Sequence, residues 1–495
     1  MTEAAMEQTA TATATEEQPL LDRIIQEGRM ARNQSQRDRA VELIDSFVAQ
    51  VMERETVAVH HDTIAMINER IAQLDEAISA QLNAIMHAEP FKKLESTWRG
   101  LSYLVKNSET GSSLKLRVLN VRKDELQSDL EKAVEFDQSA LFKKIYSEEF
   151  GTFGGAPYSV LMGDYEFGRG AKDVALMRMI SEVAAAAHAP FVAAASANLF
   201  DMDSFTELAN PRDLSKLMES TELAKWRGFR ETEDARYFAL TLPHILLRGP
   251  YGPETNPVEE FGFQEDVTGR DHDKYLWGNA SWAFLQRMTD SFAKYKWCAA
   301  IRGVEGGGVV SDLPTHTFAT DAGDQMLKCP TEVPITDRRE KELTELGFIP
   351  LVHCKGTDYA TFFGAQSVNK PKEYSNDKAS ANARISSMLP YIMASSRFAH
   401  YLKAMMRDKI GSFATRDQIS KFLNTWISQY VLLDDNAQYE TKARYPLREA
   451  RVDVLENPNR PGSYRAVVFL RPHFQLDELS MSLRLVAELP PPASA

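Results

Sequence analysis

Residues 158–196 set the tightest limit on what this chain can fold into. Tyr158–Asp164 has the composition of a strand. Asp173–His188 then places Leu176, Ile180 and Val183 at helical spacing, and Phe191–Ser196 reads as a strand again directly after Pro190. Two strands joined through a helix cannot form a hairpin, so the connection favours parallel pairing with the helix packed over one sheet face. Further strands are expected at Tyr237–Leu242, Ile349–Cys354 and Asp358–Phe363. Upstream, Leu114–Val121 reads as a strand, followed by helices at Asp124–Val134 and Ser139–Glu149. The central stretch, residues 111–375, is therefore expected to be an α/β body in a mixed α/β and α+β chain.

The N-terminal flank has a different character. Residues 1–18 are mostly Thr, Ala, Glu and Gln, a low-complexity tail expected to be disordered. Pro19 opens LLDRIIQEGRM, which puts Leu20, Leu21, Ile24 and Ile25 on one helical face and Asp22, Arg23 and Gln26 on the other. About a dozen residues make a marginal helix in water, so this segment either docks on its own domain or folds into a partner's groove. A helix is expected from Ser35 to Arg54, with Ser35 and Asp38 spaced as a cap. Thr56–His61 is a short β-favouring run with no visible hairpin partner, suited to being offered to another sheet; residues 19–61 thus read as helices plus a linker. His60 and His61 lack a spaced third ligand, so no metal site is expected there.

From residue 62 to 110 the pattern is helical. Ile64, Ile67, Ile71, Leu74, Ile78, Leu82 and Ile85 recur by threes and fours, close to a heptad seam. Pro90 interrupts it, and Phe91, Leu94, Trp98, Leu101 and Val105 continue a similar stripe. Such a stripe serves either as the buried face of an ordinary helix or as a seam for a helix of another chain. At the other end, residues 376–495 read as helices at Asn376–Lys409 and Thr415–Leu432, then β segments at Tyr445–Leu455, Tyr464–Pro472 and Met481–Leu489. Asn457–Gly462 has turn chemistry that makes the first two hairpin-like. Val467 and Phe469, then Leu483 and Leu485, alternate with polar neighbours. An uncovered terminal strand is either a hazard or a docking site.

Chemistry is hard to find in this sequence. Arg302–Gly308, RGVEGGG, follows the strand-like Trp297–Ile301 and at first suggests a phosphate loop. Such a loop needs Lys and then Ser or Thr after its glycines, and here Val309, Val310 and Ser311 follow, so a sharp backbone turn is expected. No GxSxG elbow, HExxH helix, P-loop or paired CxxC occurs. Asp271, His272 and Asp273 read as a solvated loop. His353 and Cys354 are adjacent on a strand and point to opposite faces, so they do not form a dyad. Cys298, Cys329 and Cys354 lack metal or disulfide spacing and suit a reducing compartment. Residues 248–258, RGPYGPETNPV, form a Pro/Gly-rich loop suited to a fixed contact surface. The net charge of −13 argues against a nucleic-acid surface. No 18-residue apolar run and no secretory leader is readable, so neither membrane insertion nor export is expected. No catalytic residue, cofactor or metal ligand is expected.

Seven blocks, in order, resemble the large subunit of the contractile sheath of bacterial type VI secretion systems. They are FKKLESTWRGLSYLV (91–105), GTFGGAPYSVLMGDYEF (151–167), LLRGPYGPETNPV (246–258), YLWGNASWAF (275–284), IRGVEGGG (301–308), CPTEVPITDRREKELTELGFIPL (329–351) and FFGAQS (362–367). The resemblance runs from about Pro19 to the C-terminus and implies a contractile-sheath-like fold and a structural protein that is not an enzyme. It implies a heterodimer with a small sheath subunit, and polymerisation with other protomers around an inner tube protein, on a baseplate anchored at the envelope of a Gram-negative bacterium. The assembly would be cytoplasmic. A Clp-type AAA+ unfoldase would dismantle the contracted form by gripping Leu20, Leu21, Ile24 and Ile25. Ile64, Ile67, Ile71, Leu74 and Ile78 would pair with the small subunit, and Val467, Phe469, Leu483 and Leu485 would join an inter-subunit sheet. The Thr415–Leu432 helix is a candidate for the face toward the tube. Two other readings compete: a soluble α/β enzyme with a site assembled from Asp271–Asp273 and the Gly306 turn, and a sheath of a related phage-tail-like particle.

Overall fold

The computed structural model describes residues 34–52, 63–473 and 475, apart from positions 254, 260, 321, 413–414 and 457–463. The chain divides into two units, residues 1–82 with Glu259–Phe263, and the remainder. In the first, the described residues form a helix over Gln34–Met52 and most of a helix over Thr63–Met86. The Leu20–Ile25 segment and the Thr56–His61 run lie outside the described residues.

The second unit is built on a six-stranded sheet. Its strands, in chain order, are β1 (Leu161–Phe167), β2 (Phe191–Ala195), β3 (Phe238–Leu242), then β6 (Val309–Val310), β9 (Phe348–His353) and β10 (Ala360–Phe362). The short pairs β4 (Ile245–Leu246) with β5 (Trp277–Gly278), and β7 (Thr317–Ala319) with β8 (Gln325–Leu327), stand apart. The spatial order is β1-β2-β3-β9-β10-β6, with the first four parallel and the last two added antiparallel. The expected strand–helix–strand unit is present: the helix Ala171–Ala187 joins β1 to its parallel neighbour β2, Leu161 opposite Phe191.

Alternation along each strand gives the sheet two buried faces. Phe191, Ala193, Phe238, Leu240, Phe348 and Val352 pack into one core, under the Ala171–Ala187 helix with Leu176, Met177 and Ile180. Val192, Ala239, Ile349 and Leu351 point the other way, against Ala283, Phe284 and Met288 of the Ser281–Tyr295 helix and Leu104 of the Glu89–Lys106 helix. Gly100 is required at that last contact, since a Cβ there would lie 2.3 Å from the Trp282 indole nitrogen.

A third core sits at the C-terminal end. The helices Leu389–Asp408 and Arg416–Ser428 pack Phe398, Leu402, Leu423 and Ile427 against a hairpin of β11 (Leu447–Glu456) and β12 (Tyr464–Pro472). Val452 and Val454 of β11 and Ala466, Val468 and Leu470 of β12 form the inward face.

Several expectations need correction. Trp297–Ile301 is not a strand: Trp297 turns into the third core and stacks on Phe398 at 4.4 Å. Leu114–Val121 pairs with no described strand. Tyr158–Asp164 begins late, at Leu161, after the Gly-rich turn. Over Lys143–Phe150 the expected helix widens to i→i+5 hydrogen bonding, which sets Tyr146 and Phe150 edge to face at 5.3 Å. The long helix at 376–409 is two, Asp377–Ser386 and Leu389–Asp408. Between them Ser387 O accepts from Ser367 N at 3.0 Å, and Pro390 starts the second helix without an amide donor. Among the described residues no helix is long and apolar enough to cross a membrane.

Candidate functional site

The residues expected to meet partners sit on two surfaces. Along the Thr63–Met86 helix, Ile67 and Ile71, Leu74 and Ile78 are all exposed, Ile71 by 47%. The side chain of Ile64 is outside the described residues. Four large aliphatic side chains at three- and four-residue spacing form one exposed stripe, and covering it would stabilise by about 1 kcal/mol for each side chain. The Glu89–Lys106 helix likewise exposes Phe91, Leu94, Trp98 and Val105, Trp98 by 63%, while it buries Leu104 beneath. The mid-helix Pro90 does not kink a continuous rod. Residues 87–88 end one helix, and Pro90 starts the next at its first turn.

The base of that second helix is held by a buried ion network. Arg248, 7% exposed, donates from Nε to Glu95 at 2.7 Å and from Nη1 to Glu265 at 2.6 Å. Arg99 donates to Glu95 as well, and the His87 ring meets Glu265 at 3.3 Å. Burial would raise the Glu95 pKa, but the Arg248 and Arg99 hydrogen bonds outweigh it and hold the carboxyl below its usual range. Glu265 also accepts from the Tyr251 amide at 2.9 Å, and Thr255 Oγ1 donates to the Pro250 carbonyl at 2.7 Å. The loop expected to be rigid is thus pinned by its own Arg248 and Thr255 and, from outside it, by Glu95 and Glu265. Glu265 carries no sequence signal, because its partners are distant along the chain.

The second surface is the outer face of the C-terminal hairpin. Val467 and Phe469 stand opposite Asp453 and Arg451, with their side chains about half exposed beside Leu455. β12 pairs with β11 and with no other described strand. A shallow cleft lined by Arg416, Asp417, Leu455 and Val467 runs between the hairpin and the Arg416–Ser428 helix. Leu483 and Leu485 lie outside the described residues.

The RGVEGGG segment joins this region to the sheet. Gly303 and Gly307 have φ of +75° and +84°, conformations that favour glycine. Gly303 N donates to Phe362 O at 2.7 Å, Phe362 N donates to Gly308 O at 3.0 Å, and a Cβ on Gly308 would meet Phe362 O at 2.5 Å. It is the sharp turn expected, and it lies against the antiparallel strand β10. Tyr439 Oη donates to Gly306 O at 2.9 Å. Gln475 accepts from Arg302 Nε at 3.0 Å and donates to Ala299 O at 2.8 Å, and its amide donates to Tyr391 Oη at 3.1 Å. Gln475 is a clamp that sequence reasoning missed, since nothing in its neighbourhood marks it.

The sites considered for chemistry do not assemble into one. Asp271 accepts from Thr268 N and Oγ1 and faces Lys274, which accounts for its lowered pKa. The His272 ring stacks on Trp277 at 4.9 Å. Cys298 is half-buried, and burial pushes its thiol up to about 12. His353 Nε2 lies 2.8 Å from the Thr357 carbonyl oxygen. Among the described residues no three His, Cys, Asp or Glu side chains are grouped to hold a metal ion.

Two family models match the chain in order: the EvpB/VC_A0108 tail sheath N-terminal domain over residues 68–369, and the EvpB/VC_A0108 tail sheath gpW/gp25-like domain over residues 378–489. The chain is 48% identical over 459 residues to the type VI secretion system sheath protein TssC1 of Pseudomonas aeruginosa, covering 92% of each. Solved structures with some likeness include the anti-feeding prophage baseplate, at 9% identity and a TM-score of 0.34, over 63% of this chain and 66% of that one. The contracted helical sheath of the same particle matches at 11% identity and a TM-score of 0.27, over 62% and 66%. Scores this low carry no structural argument. Two consecutive domain models and near-full-length identity to a sheath protein do: the chain belongs to the EvpB/VC_A0108 tail-sheath family, as a large sheath subunit of the type VI secretion kind.

Proposed function

We propose that this chain pairs with a small sheath subunit through the stripe Ile64, Ile67, Ile71, Leu74 and Ile78, and that the pairs stack in the cytoplasm around an inner tube protein. The observation that carries this reading is the exposure of Ile67, Ile71, Leu74 and Ile78 together on one helix. A lone helix gains nothing from such a face in water, whereas a partner helix of matching spacing would cover it. The division of labour follows the chain: a tail over 1–18, unfoldase recognition and strand donation over 19–61, small-subunit pairing over 62–110, an α/β body over 111–375, and the terminal sheet over 376–495. The sheath starts on an envelope-anchored baseplate, shortens to drive the tube outward, and is recycled by a Clp-type unfoldase that grips Leu20, Leu21, Ile24 and Ile25.

Co-expression with a small sheath subunit tests the pairing. Ile71→Asp with Ile78→Asp removes two apolar contacts and places two charges on the seam, which should abolish co-purification and tube formation. Both positions are exposed, so the thermal transition of the large subunit alone should move little. Undiminished pairing of the double variant overturns the assignment.

A further inference from the structure

The stretch Leu114–Val121 has the composition of a strand and no described strand beside it. It runs without helix, turn or bend into Arg122, whose own backbone is extended at φ −82° and ψ 153°. Side chains hold it in place. Leu116 packs against the core that contains Phe284 and Met288, and Val121 against the core on the other sheet face. Tyr165 Oη donates to Val121 O at 2.7 Å, and Arg117 engages Glu149 and, at 3.1 Å, Tyr158 Oη. Between these anchors the main chain is open. No amide or carbonyl of residues 115–120 is hydrogen-bonded to a described residue. The side chains of Lys115, Arg117, Val118, Leu119 and Asn120 are exposed, Val118 by 70% and Leu119 by 54%. A straight segment already fixed by its side chains has little freedom left to lose, so an added strand would gain its ladder bonds at low entropic cost. Charged residues on a bare edge can also serve to keep other strands away. That reading accounts for Lys115, but it leaves Val118 and Leu119 in water with no benefit.

We propose that Leu114–Val121 is a strand-docking site on the α/β body, and that it accepts a segment of a different chain in which apolar side chains alternate with carboxylates. The pattern of the site selects that occupant. Alternation puts Leu114, Leu116 and Val118 on one face and Lys115, Arg117 and Leu119 on the other. Apolar side chains of the incoming strand extend the cover over Leu116 and reach Val118. Carboxylates on its other face meet Lys115, which forms no ion pair with a described residue. A second copy is a poor occupant. Antiparallel self-pairing through the centre of the segment sets Lys115 opposite Arg117, or Arg117 opposite itself, and like charges facing each other across a ladder repel. Main-chain hydrogen bonds then supply the affinity and the alternating side chains the selectivity. The assignment does not depend on what the Ile67–Ile78 stripe binds.

A fluorescein-labelled peptide of alternating Val and Glu, titrated into the purified full chain, tests the site by anisotropy and by hydrogen–deuterium exchange. Binding should saturate. The amides of residues 115–120 should exchange fast in the lone chain and slow by about tenfold or more with peptide bound, since a ladder bond must open before exchange. The same peptide N-methylated throughout, or with Lys in place of Glu, should not bind. Val118→Pro removes a ladder donor where the native amide bonds to no described residue and the side chain is exposed. Its melting midpoint should hardly move, while peptide affinity should fall by about tenfold or more. A peptide that fails to bind, or that binds without slowing those amides, overturns the proposal whatever the fate of the variant. So does undiminished binding by a folded Val118→Pro chain. Amides that slow in the lone chain as its concentration is raised would give the edge to a second copy, and overturn it as well.

Discussion

His244 lies between two carboxylates, Nδ1 toward Glu332 and Nε2 toward Glu166 at 3.1 Å. Both partners are acceptors, so both ring nitrogens are protonated and the side chain is a cation. Glu332 also accepts from Ser204 at 3.0 Å and faces His272. The cluster ties β1, the turn after β3 and the strand-like stretch at Thr331 to one another. Burial works against the imidazolium, but the hydrogen bonds to Glu166 and Glu332 outweigh it and push the pKa up to about 10. Burial likewise opposes the Glu332 charge, and the His244 contact overrides it, holding the carboxyl well below the usual range. A raised histidine pKa contributes stability that is complete below its unfolded value of about 6.5 and is lost as pH rises through the folded one. Depressed carboxylates contribute stability that is complete above about 4.5 and lost as pH falls. His244→Gln should therefore cost most near pH 5–6, on the order of 3–5 kcal/mol for a broken buried pair. The cost should shrink toward pH 10. Denaturant melts of both chains at pH 6, 8 and 10 measure this, and a gap that stays constant with pH would contradict it.

At the scale of elements, the C-terminal hairpin is where sequence and structure can be compared most closely. The β12 boundaries, Tyr464–Pro472, were legible from the alternation, whereas the expected turn at Asn457–Gly462 lies outside the described residues. What alternation cannot decide is which face turns inward, because both sets of side chains on β12 include large apolar residues. The helices Leu389–Asp408 and Arg416–Ser428 settle it by covering Ala466, Val468 and Leu470, which leaves Val467 and Phe469 outside. Local composition failed at Leu114–Val121 and Trp297–Ile301 for a related reason: a β-favouring run becomes a strand only where a ladder partner is within reach. At Trp297 the third core offered a better burial. The apolar stripe at Ile67–Ile78 was legible in position and spacing, but its exposure needed the structure. Because Val467 and Phe469 already face water, Val467→Asp with Phe469→Asp should change the melting midpoint by no more than a few degrees, about 1 kcal/mol at most. Tubes should be lost, while the small subunit still co-purifies. Normal tubes in negative-stain images would remove this hairpin from the inter-subunit sheet.

At the scale of the whole molecule, the second unit is built on a sheet covered on both faces, which keeps its shape, and it leaves Val467 and Phe469 on the outer face of its hairpin uncovered. In the first unit, Ile67, Ile71, Leu74 and Ile78 are likewise exposed. Recycling belongs to the same scale. Ile24→Asp with Ile25→Asp should leave tube assembly intact, while contracted tubes incubated with a Clp-type unfoldase and ATP should persist instead of disappearing, as followed by light scattering. Disassembly at the wild-type rate would place the grip elsewhere. The joint at RGVEGGG also has a bearing on how the hairpin can be used. Gln475 is fastened to Ala299 and Arg302, and the turn that follows them is laced by main-chain bonds to Phe362 on β10. If a neighbour engages the hairpin as proposed, its pull would reach β10 through several bonds at once, so the hairpin would serve as a handle fastened to the central sheet.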